Sequence, residues 1–457
     1  MLVVTAVALY VLAFNMAYRD LINPVFAFWG FGPLVVRPAL FWTSVLLCIV
    51  PACWIPVKFQ RPSLLFFYLQ YLLIYVPASF LVYTSTRPKL TDSDAFILVV
   101  AMFASLTLIQ LVYTIPLIGI RATRISPSAF WLIVGSAVAV FLVYLGLTLG
   151  RNFRLVNFED VYSVRSAMAE IVTASGGRFG LYAQSILAAV FLPLAFATGV
   201  TRRRVWLIAL VALSYVFLFG IGGAKANALA LAYLPFGAAL LGRRSDRIGV
   251  YLAVGLAAAL LTGYVTEVLL PRQAQIEFLA VVHFRLFTVP PLTIPQYFEF
   301  FQTHPVTHLS HVTGLNALLR YPYDLDIPYT LGLYYYDGPL GANSGMWAGD
   351  GLAGFGIWGM PLVSAISAVV FWVFDSASVG LRPRYVALVA LFCTVYFENV
   401  SLFTTLITGG LALVIVLMLL APRAADGTIA SPRFPRFHDL SVGQPAPTLQ
   451  ASADPTG

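Results

Sequence analysis

Long uninterrupted apolar runs recur from residue 2 to residue 421 and constrain this chain more than any motif. An apolar run of about 18 residues or more is long enough to cross roughly 30 Å of hydrocarbon as an α-helix. The composition agrees, because 60% of the 457 residues are hydrophobic and 10% are charged, whereas soluble domains carry about 25% charged residues. Outer-membrane strands would alternate apolar and polar residues instead. The sequence therefore predicts an all-α polytopic integral membrane protein.

The apolar runs predict about 12 transmembrane helices in a single membrane domain, residues 1–421. The first run, 2–18, lacks a basic start and a small-residue cleavage site, so we expect a retained helix and not a removed signal peptide. Further helices are expected at 39–57, 63–84, 94–119, 128–150, 181–200, 205–221, 225–241, 248–270 and 346–374, with a two-helix hairpin at 384–421. Residues 422–457 show no apolar periodicity and are expected to form a disordered cytoplasmic tail.

The basic residues behind the net charge of +8 lie mainly at the ends of apolar segments, where they indicate membrane topology. Basic residues recur in five short connections between predicted helices: Lys58 and Arg61; Arg121 and Arg124; Arg202, Arg203 and Arg204; Arg243, Arg244 and Arg247; Arg382 and Arg384. Cytoplasmic loops carry the lysine and arginine excess of membrane proteins. We therefore predict cytoplasmic termini and two external connections, 151–180 and 271–345. The same placement argues against nucleic acid as a partner.

The two external connections hold most of the polar residues that the charge rule leaves unexplained. The centre of the first, 159–171, has the spacing of a short interfacial helix. The second holds four of the five histidines and a cluster of tyrosines. Aromatic faces can stack on sugars, but they also form belts at the membrane interface. We expect the chemistry of the protein where these connections meet the membrane.

Outward-facing basic residues are candidates for binding a phosphate-bearing substrate. Arg151, Arg154 and Arg165 lie in the first connection, and a guanidinium group binds phosphate through paired hydrogen bonds. Contacts with anionic lipids or with neighbouring acids would also explain them. Lys225 follows a glycine pair between two helices, where a phosphate can approach the backbone. Snorkelling of this lysine to the interface is the alternative.

The second connection and the helix after it add further candidates. Arg285 and Arg320 suit a phosphate or an acidic sugar, and His283 suits a proton acceptor because imidazole titrates near neutrality. Asp350 lies one turn inside an apolar segment, where a charge needs an explanation. A functional carboxylate and an ion pair that shapes the helix entrance are the two alternatives for Asp350.

Three histidines, His304, His308 and His311, are spaced so that one helical turn could gather them on a face. Such spacing could bind zinc, but Pro305 interrupts it and the glutamate of a zinc-protease helix is absent. We therefore expect no metal and no other cofactor. Contact with sugar, acid–base catalysis and structural packing are the alternative roles for His308. The three cysteines all lie in apolar segments and predict no disulfide framework.

Four passages together resemble the bacterial oligosaccharide repeat-unit polymerases, the Wzy-type O-antigen polymerases. The passages are DVYSVR at 160–165, GGAK at 222–225, FRLF through YFEFF at 284–301, and NSGMWAGDG through GFGIWG at 343–359. The resemblance spans about residues 150–375. It implies a GT-C-like membrane glycosyltransferase in the bacterial inner membrane. Such an enzyme moves a growing glycan from undecaprenyl pyrophosphate onto the end sugar of a second lipid-linked repeat unit.

By position, the resemblance implies that Arg165, Lys225 and Arg285 hold the donor pyrophosphate, so that cations replace the charge neutralisation a metal would give. One of Asp350, His283 or His308 would accept the proton of the acceptor hydroxyl. The expected partners are the lipid-linked donor and acceptor, the bilayer and a chain-length regulator protein.

Two other functions compete with the polymerase. An O-antigen ligase differs in its acceptor and is poorly separated by sequence. A flippase of lipid-linked oligosaccharide belongs to another class, and a transporter would place charges through the midplane of both halves. Here the membrane charges cluster near the predicted external face, which favours an enzyme.

Overall fold

The computed structural model describes residues 1–84, 86–120, 125–155, 179–243, 246–312, 315–338 and 341–430. Within these ranges the regular elements are helical, and the only extended pairings are two isolated bridges. In chain order the helices are α1 (Leu2–Trp29), α2 (Pro38–Cys53), α3 (Leu64–Leu81), α4 (Asp92–Thr114), α5 (Pro127–Asn152), α6 (Phe179–Thr201), α7 (Val205–Gly222), α8 (Lys225–Leu241), α9 (Ile248–Leu269), α10 (Arg272–Thr303), α11 (Ile327–Tyr336), α12 (Trp347–Ala377), α13 (Pro383–Val389), α14 (Leu391–Phe397), α15 (Leu402–Ile407) and α16 (Leu411–Leu420).

Nine helices in the described ranges are long and apolar enough to cross a membrane, so the chain is a polytopic helical membrane protein. The predicted fold class is confirmed at this level. The most apolar window of α3 is 100% buried, whereas that of α5 is 17% buried. Helix α3 therefore runs through the centre of the bundle, and α5 turns most of its surface outward.

Prolines explain most of the irregular turns within these helices. Four π-helical turns, at Tyr18–Ile22, Gln70–Tyr75, Leu187–Phe191 and Ala280–Thr288, each end two residues before a proline. Proline cannot donate a backbone hydrogen bond and its ring clashes with the preceding turn, which widens to accommodate it. The fifth π turn, Trp347–Leu352, has no proline at this spacing.

The structure differs from the sequence expectation in the connection 271–345, because its first part is the continuous helical segment α10. Helix α10 starts just after α9 and returns beside it, with the ring Nε2 of His283 at 2.8 Å from the carbonyl oxygen of Leu260. At its other end, Glu299 accepts a hydrogen bond from the backbone nitrogen of Lys89, in the connection after α3. Both ends thus meet connections predicted on one side. If the predicted sides of these connections hold, α10 enters and leaves the membrane at one side.

The structure also differs at the start of the predicted disordered tail. Residues 422–430 form a closed turn in which the backbone nitrogen of Arg382 donates to the carbonyl oxygen of Gly427 at 2.6 Å. The indole nitrogen of Trp131 donates to the carbonyl oxygen of Ala430 at 2.7 Å. This turn therefore packs against α5 and the connection before α13. The rest of the predicted tail, 431–457, lies outside the described residues.

Candidate functional site

Asp350 lies in the one described π turn that no proline explains. This turn, Trp347–Leu352, opens α12 and contains Gly349 and Gly351. A Cβ atom on Gly349 would lie 3.1 Å from the hydroxyl oxygen of Ser344. Small residues therefore let the turn pack closely against its neighbours. π turns outside proline contexts are frequent at functional sites, and this one carries a buried carboxylate.

The carboxylate of Asp350 is held by two different partners. Its Oδ2 atom accepts a hydrogen bond from the backbone nitrogen of Leu402 at 2.5 Å. Leu402 is the first residue of α15, so the bond satisfies a donor that the helix itself leaves unpaired. Its Oδ1 atom lies 3.7 Å from the ring Nε2 of His311. That distance is within the range of an ion pair but too long for a direct hydrogen bond.

Thr307 fixes the orientation of the His311 ring. Its hydroxyl lies 2.8 Å from Nδ1 of His311 and donates to the carbonyl oxygen of Ala353 at 2.9 Å. Because its single proton is used for Ala353, the hydroxyl accepts a hydrogen bond from Nδ1–H. Nε2 then carries the lone pair of the neutral ring and faces Asp350. The carboxylate of Asp350 therefore lies beside the ring nitrogen that can accept a hydrogen bond.

The pair differs in exposure. The side chain of His311 is 15% exposed and that of Asp350 is fully buried. Both facing atoms, Nε2 and Oδ1, are buried without a hydrogen-bond partner among the described residues. A group from outside would therefore meet the imidazole edge of His311 first and the carboxylate second.

Glu398 is a second buried carboxylate near this turn. Its backbone carbonyl packs against Gly345, where an added Cβ would lie 3.1 Å away. Neither of its carboxylate oxygens has a hydrogen-bond partner in the described chain. A buried acid without a partner is costly in a membrane protein and marks a functional candidate.

The other two predicted proton acceptors have surroundings unlike those of Asp350. His283 is buried between α9 and α10, where its ring packs against Phe278 and Phe287. His308 is exposed, with a positive φ of 49°, and its ring lies 5.9 Å from that of Phe355. For each of these two histidines, the role of proton acceptor stays a prediction.

The three-histidine cluster is dispersed and not gathered on one helical face. His304 stacks on Phe300 at a ring separation of 3.9 Å, whereas His311 turns towards Asp350. Positive φ angles at His308 and Leu309 exclude a helix through this stretch. Among the described residues, no group of three or more histidine, cysteine or acidic side chains is placed to hold a metal ion.

Some of the predicted phosphate-binding residues come together at the start of α8. Gly223 ends α7 in the left-handed conformation with φ 59°, and Lys225 begins α8, as the glycine pair predicts. The backbone nitrogen of Arg154 donates to the carbonyl oxygen of Gly220 at 3.0 Å. The exposed Arg151 and Arg154 therefore share one end of the bundle with Lys225. Arg165 and the predicted interfacial helix at 159–171 lie outside the described residues.

Arg285 and Arg320 lie in other parts of the structure. Arg285 is exposed on the π turn of α10, directly after Phe284, whose ring packs on Phe26 at 4.7 Å. Arg320 lines an open cavity of about 380 Å³ together with Tyr321, Tyr323 and Asp324. Burial raises the pKa of Tyr323 to about 12, so its hydroxyl stays protonated at physiological pH.

Sequence reasoning missed His311 as the partner of Asp350, and it missed Thr307 altogether. The four-residue spacing of Thr307 and His311 would place the two side chains together only on a helix, and positive φ angles at His308 and Leu309 rule a helix out here. The chain separation between His311 and Asp350 carries no periodicity that could have joined them.

Comparison with known proteins leaves this arrangement to be interpreted from its own chemistry. No protein-family model matches the chain, and neither the curated proteins nor the solved structures give a match.

Proposed function

We propose that this chain is a membrane glycosyltransferase that polymerises undecaprenyl-pyrophosphate-linked repeat units into surface polysaccharide at the external face of the bacterial inner membrane. The observation that supports this best is the His311–Asp350 pair. Its carboxylate lies in the passage 343–359, one of the four that resemble the repeat-unit polymerases. The proposal combines that resemblance with a buried pair suited to accepting a proton.

In the proposed reaction, the hydroxyl oxygen of the acceptor sugar attacks the anomeric carbon of the donor glycan. The bond from that carbon to pyrophosphate breaks, and undecaprenyl pyrophosphate leaves with the electron pair. His311 takes the hydroxyl proton at Nε2, and Asp350 stabilises the imidazolium that forms. Because Nε2 is buried, the turn 304–312 must shift when the acceptor binds. The cationic side chains near the start of α8, Arg154 and Lys225, neutralise the leaving group.

The buried Glu398 favours one second candidate, a proton-coupled flippase of lipid-linked oligosaccharide. A partnerless acid inside a membrane bundle is a common component of proton relays. A flippase would move its substrate across the bilayer without changing the length of the glycan. The two functions therefore differ in where single repeat units accumulate.

The deciding experiment is gene deletion with complementation, followed by gel analysis of surface glycan. A polymerase deletion removes the long ladder while single repeat units still reach the external leaflet. Accumulation of lipid-linked units on the inner leaflet alone would contradict the proposal and favour the flippase. Complementation with His311→Gln should fail to restore the ladder. His304→Gln is a matched control because that ring stacks on Phe300 instead.

A further inference from the structure

An open cavity of about 530 Å³ lies apart from the His311–Asp350 pair, between three segments of the chain. Its walls come from the end of α1, the connection after α3 and the end of α11. The charged and aromatic residues that line it are Phe28, Trp29, Arg87, Lys89, Tyr335, Tyr336 and Asp337. Tyr335 and Tyr336 belong to the tyrosine cluster that the sequence suggested for sugar stacking or for a membrane-interface belt, whereas Trp29, Arg87 and Lys89 were not candidates. The volume lies within the range of small-molecule sites, about 300–1,000 Å³.

Backbone contacts hold the first two walls together. The backbone nitrogen of Gly32 donates to the hydroxyl of Thr86 at 2.9 Å, and the hydroxyl of Thr84 donates to the carbonyl oxygen of Gly30 at 3.0 Å. Gly30 has a φ of 98°, and a Cβ there would lie 3.0 Å from the carbonyl oxygen of Arg87. Glycine is thus required for this close approach.

Glu299 ties the third wall to the second. It accepts the backbone nitrogen of Lys89 at 3.0 Å and the hydroxyl of Tyr335 at 2.6 Å. The guanidinium of Arg87 also donates to the backbone carbonyl of Tyr335. Three segments far apart in sequence are therefore fixed around one cavity. Such a preformed wall lowers the entropy lost on binding a ligand.

The cavity combines cations with aromatic rings. Arg87 and Lys89 are exposed to it, and neither forms an ion pair within the described part of the chain. The rings of Trp29 and Tyr336 are 5.5 Å apart and inclined at 51°, so they form a corner. Asp337 adds a carboxylate at the rim, which can accept hydrogen bonds from hydroxyl groups.

We infer that this cavity binds an anionic saccharide, with Trp29 stacking against the sugar ring and Arg87 and Lys89 binding its carboxylate or phosphate. The inference rests on the proposed function, because a glycan is the ligand that function supplies. All three walls belong to connections that the charge pattern places on the external side, where the glycan would be. The same chemistry is found in the headgroup of an anionic lipid, so the test must separate the two sources.

The test is fluorescence anisotropy on the purified full-length chain in detergent, with labelled trigalacturonate as the acidic probe and labelled maltotriose as the neutral one. Lys89→Gln should weaken trigalacturonate binding about tenfold, as expected for one lost charge-assisted hydrogen bond, and leave maltotriose unchanged. Trp29→Leu should weaken both probes. Lys58→Gln and Trp42→Leu are matched exposed controls outside the cavity, and both should bind as the unaltered chain does.

Unchanged trigalacturonate binding in Lys89→Gln would overturn the inference, even if Trp29→Leu failed to fold. Displacement of trigalacturonate by phosphatidylglycerol nanodiscs at a lower concentration than by unlabelled trigalacturonate would assign the cavity to a lipid headgroup and overturn it too. The proposed function fails separately, when gene deletion leaves the glycan ladder intact while Lys89 still governs probe binding. If gene deletion removes the ladder but Lys89→Gln leaves probe binding unchanged, only the inference about the cavity is overturned.

Discussion

Thr307 sets the chemistry of His311 through a single hydroxyl group. Thr307→Val keeps the shape of the side chain but removes the acceptor for Nδ1–H, so the ring loses its fixed orientation towards Asp350. Residues that orient a metal-binding imidazole typically contribute about 10- to 100-fold, and we take the same order of magnitude for His311. We expect polymer synthesis to fall by about that factor, measured as chain extension of a lipid-linked repeat unit by the purified chain. Thr307→Ser retains the hydroxyl and should restore activity, whereas equal loss in both variants would contradict an orienting role.

Replacing Glu398 tests whether this buried acid lowers the stability of the protein. Burial of a carboxyl group without a partner costs free energy, so Glu398→Met, an apolar side chain of similar size, should raise the free energy of unfolding by about 1–3 kcal/mol. Thermal unfolding in detergent measures the change. Glu299→Gln is the contrasting variant, because Glu299 accepts hydrogen bonds from Lys89 and Tyr335 and should lose stability. A destabilised Glu398→Met would show that the acid is satisfied in the native state.

At the scale of elements, α12 depends on contacts between glycines around its first turns. A Cβ on Gly359 would overlap the carbonyl oxygen of Gly351, directly after Asp350. Overpacking of this kind costs about 1–3 kcal/mol, so Gly359→Ala should lower thermal stability and displace Asp350 from Leu402. Gly135→Ala is the matched control, since nothing lies within 4 Å of its added Cβ on the exposed face of α5. Equal stability of the two variants would show that the turn tolerates a side chain.

The positions of prolines allow some irregular turns within the helices to be predicted from the sequence. The prolines that follow four of the π turns could have predicted where α1, α3, α6 and α10 widen. The turn at Asp350 could not be predicted in this way, because glycines permit many backbone conformations and specify none. Hydropathy predicts that a helix exists, and the local distortion that positions its carboxylate comes from tertiary packing.

At the scale of the whole molecule, hydropathy predicted the bundle but missed α10. The mean hydropathy of its most apolar 18-residue window, 1.4, is the lowest among the nine candidate spans of the described residues. Outside and within that window, Arg272, Glu277, Arg285 and Glu299 interrupt the apolar run. Asp350 could be predicted from one charge inside an apolar segment. Its pairing with His311 depends on left-handed backbone in the turn before it, which no spacing rule specifies.

The path of α10 yields a whole-molecule prediction. If α10 enters and leaves on one side, cysteines introduced at its two ends must react with reagents from the same side of the membrane. Gln273 and Gln302 are both exposed, so we expect Gln273→Cys and Gln302→Cys to be labelled by an impermeant maleimide added outside intact cells. Lys58→Cys, in a connection predicted cytoplasmic, should react only after permeabilisation. The background is a chain with Cys48, Cys53 and Cys393 replaced by serine.

The labelling pattern separates three topologies. External reaction at both ends of α10 supports a re-entrant segment and places Lys89, which contacts Glu299 near its end, on the external side. Reaction at one end only would mean that α10 crosses the bilayer, and the sides of every later connection would then be reversed. External labelling of Lys58→Cys would invert the whole assignment. The proposed reaction and the cavity both require the first pattern, because glycan, His311 and Lys89 must share one aqueous side.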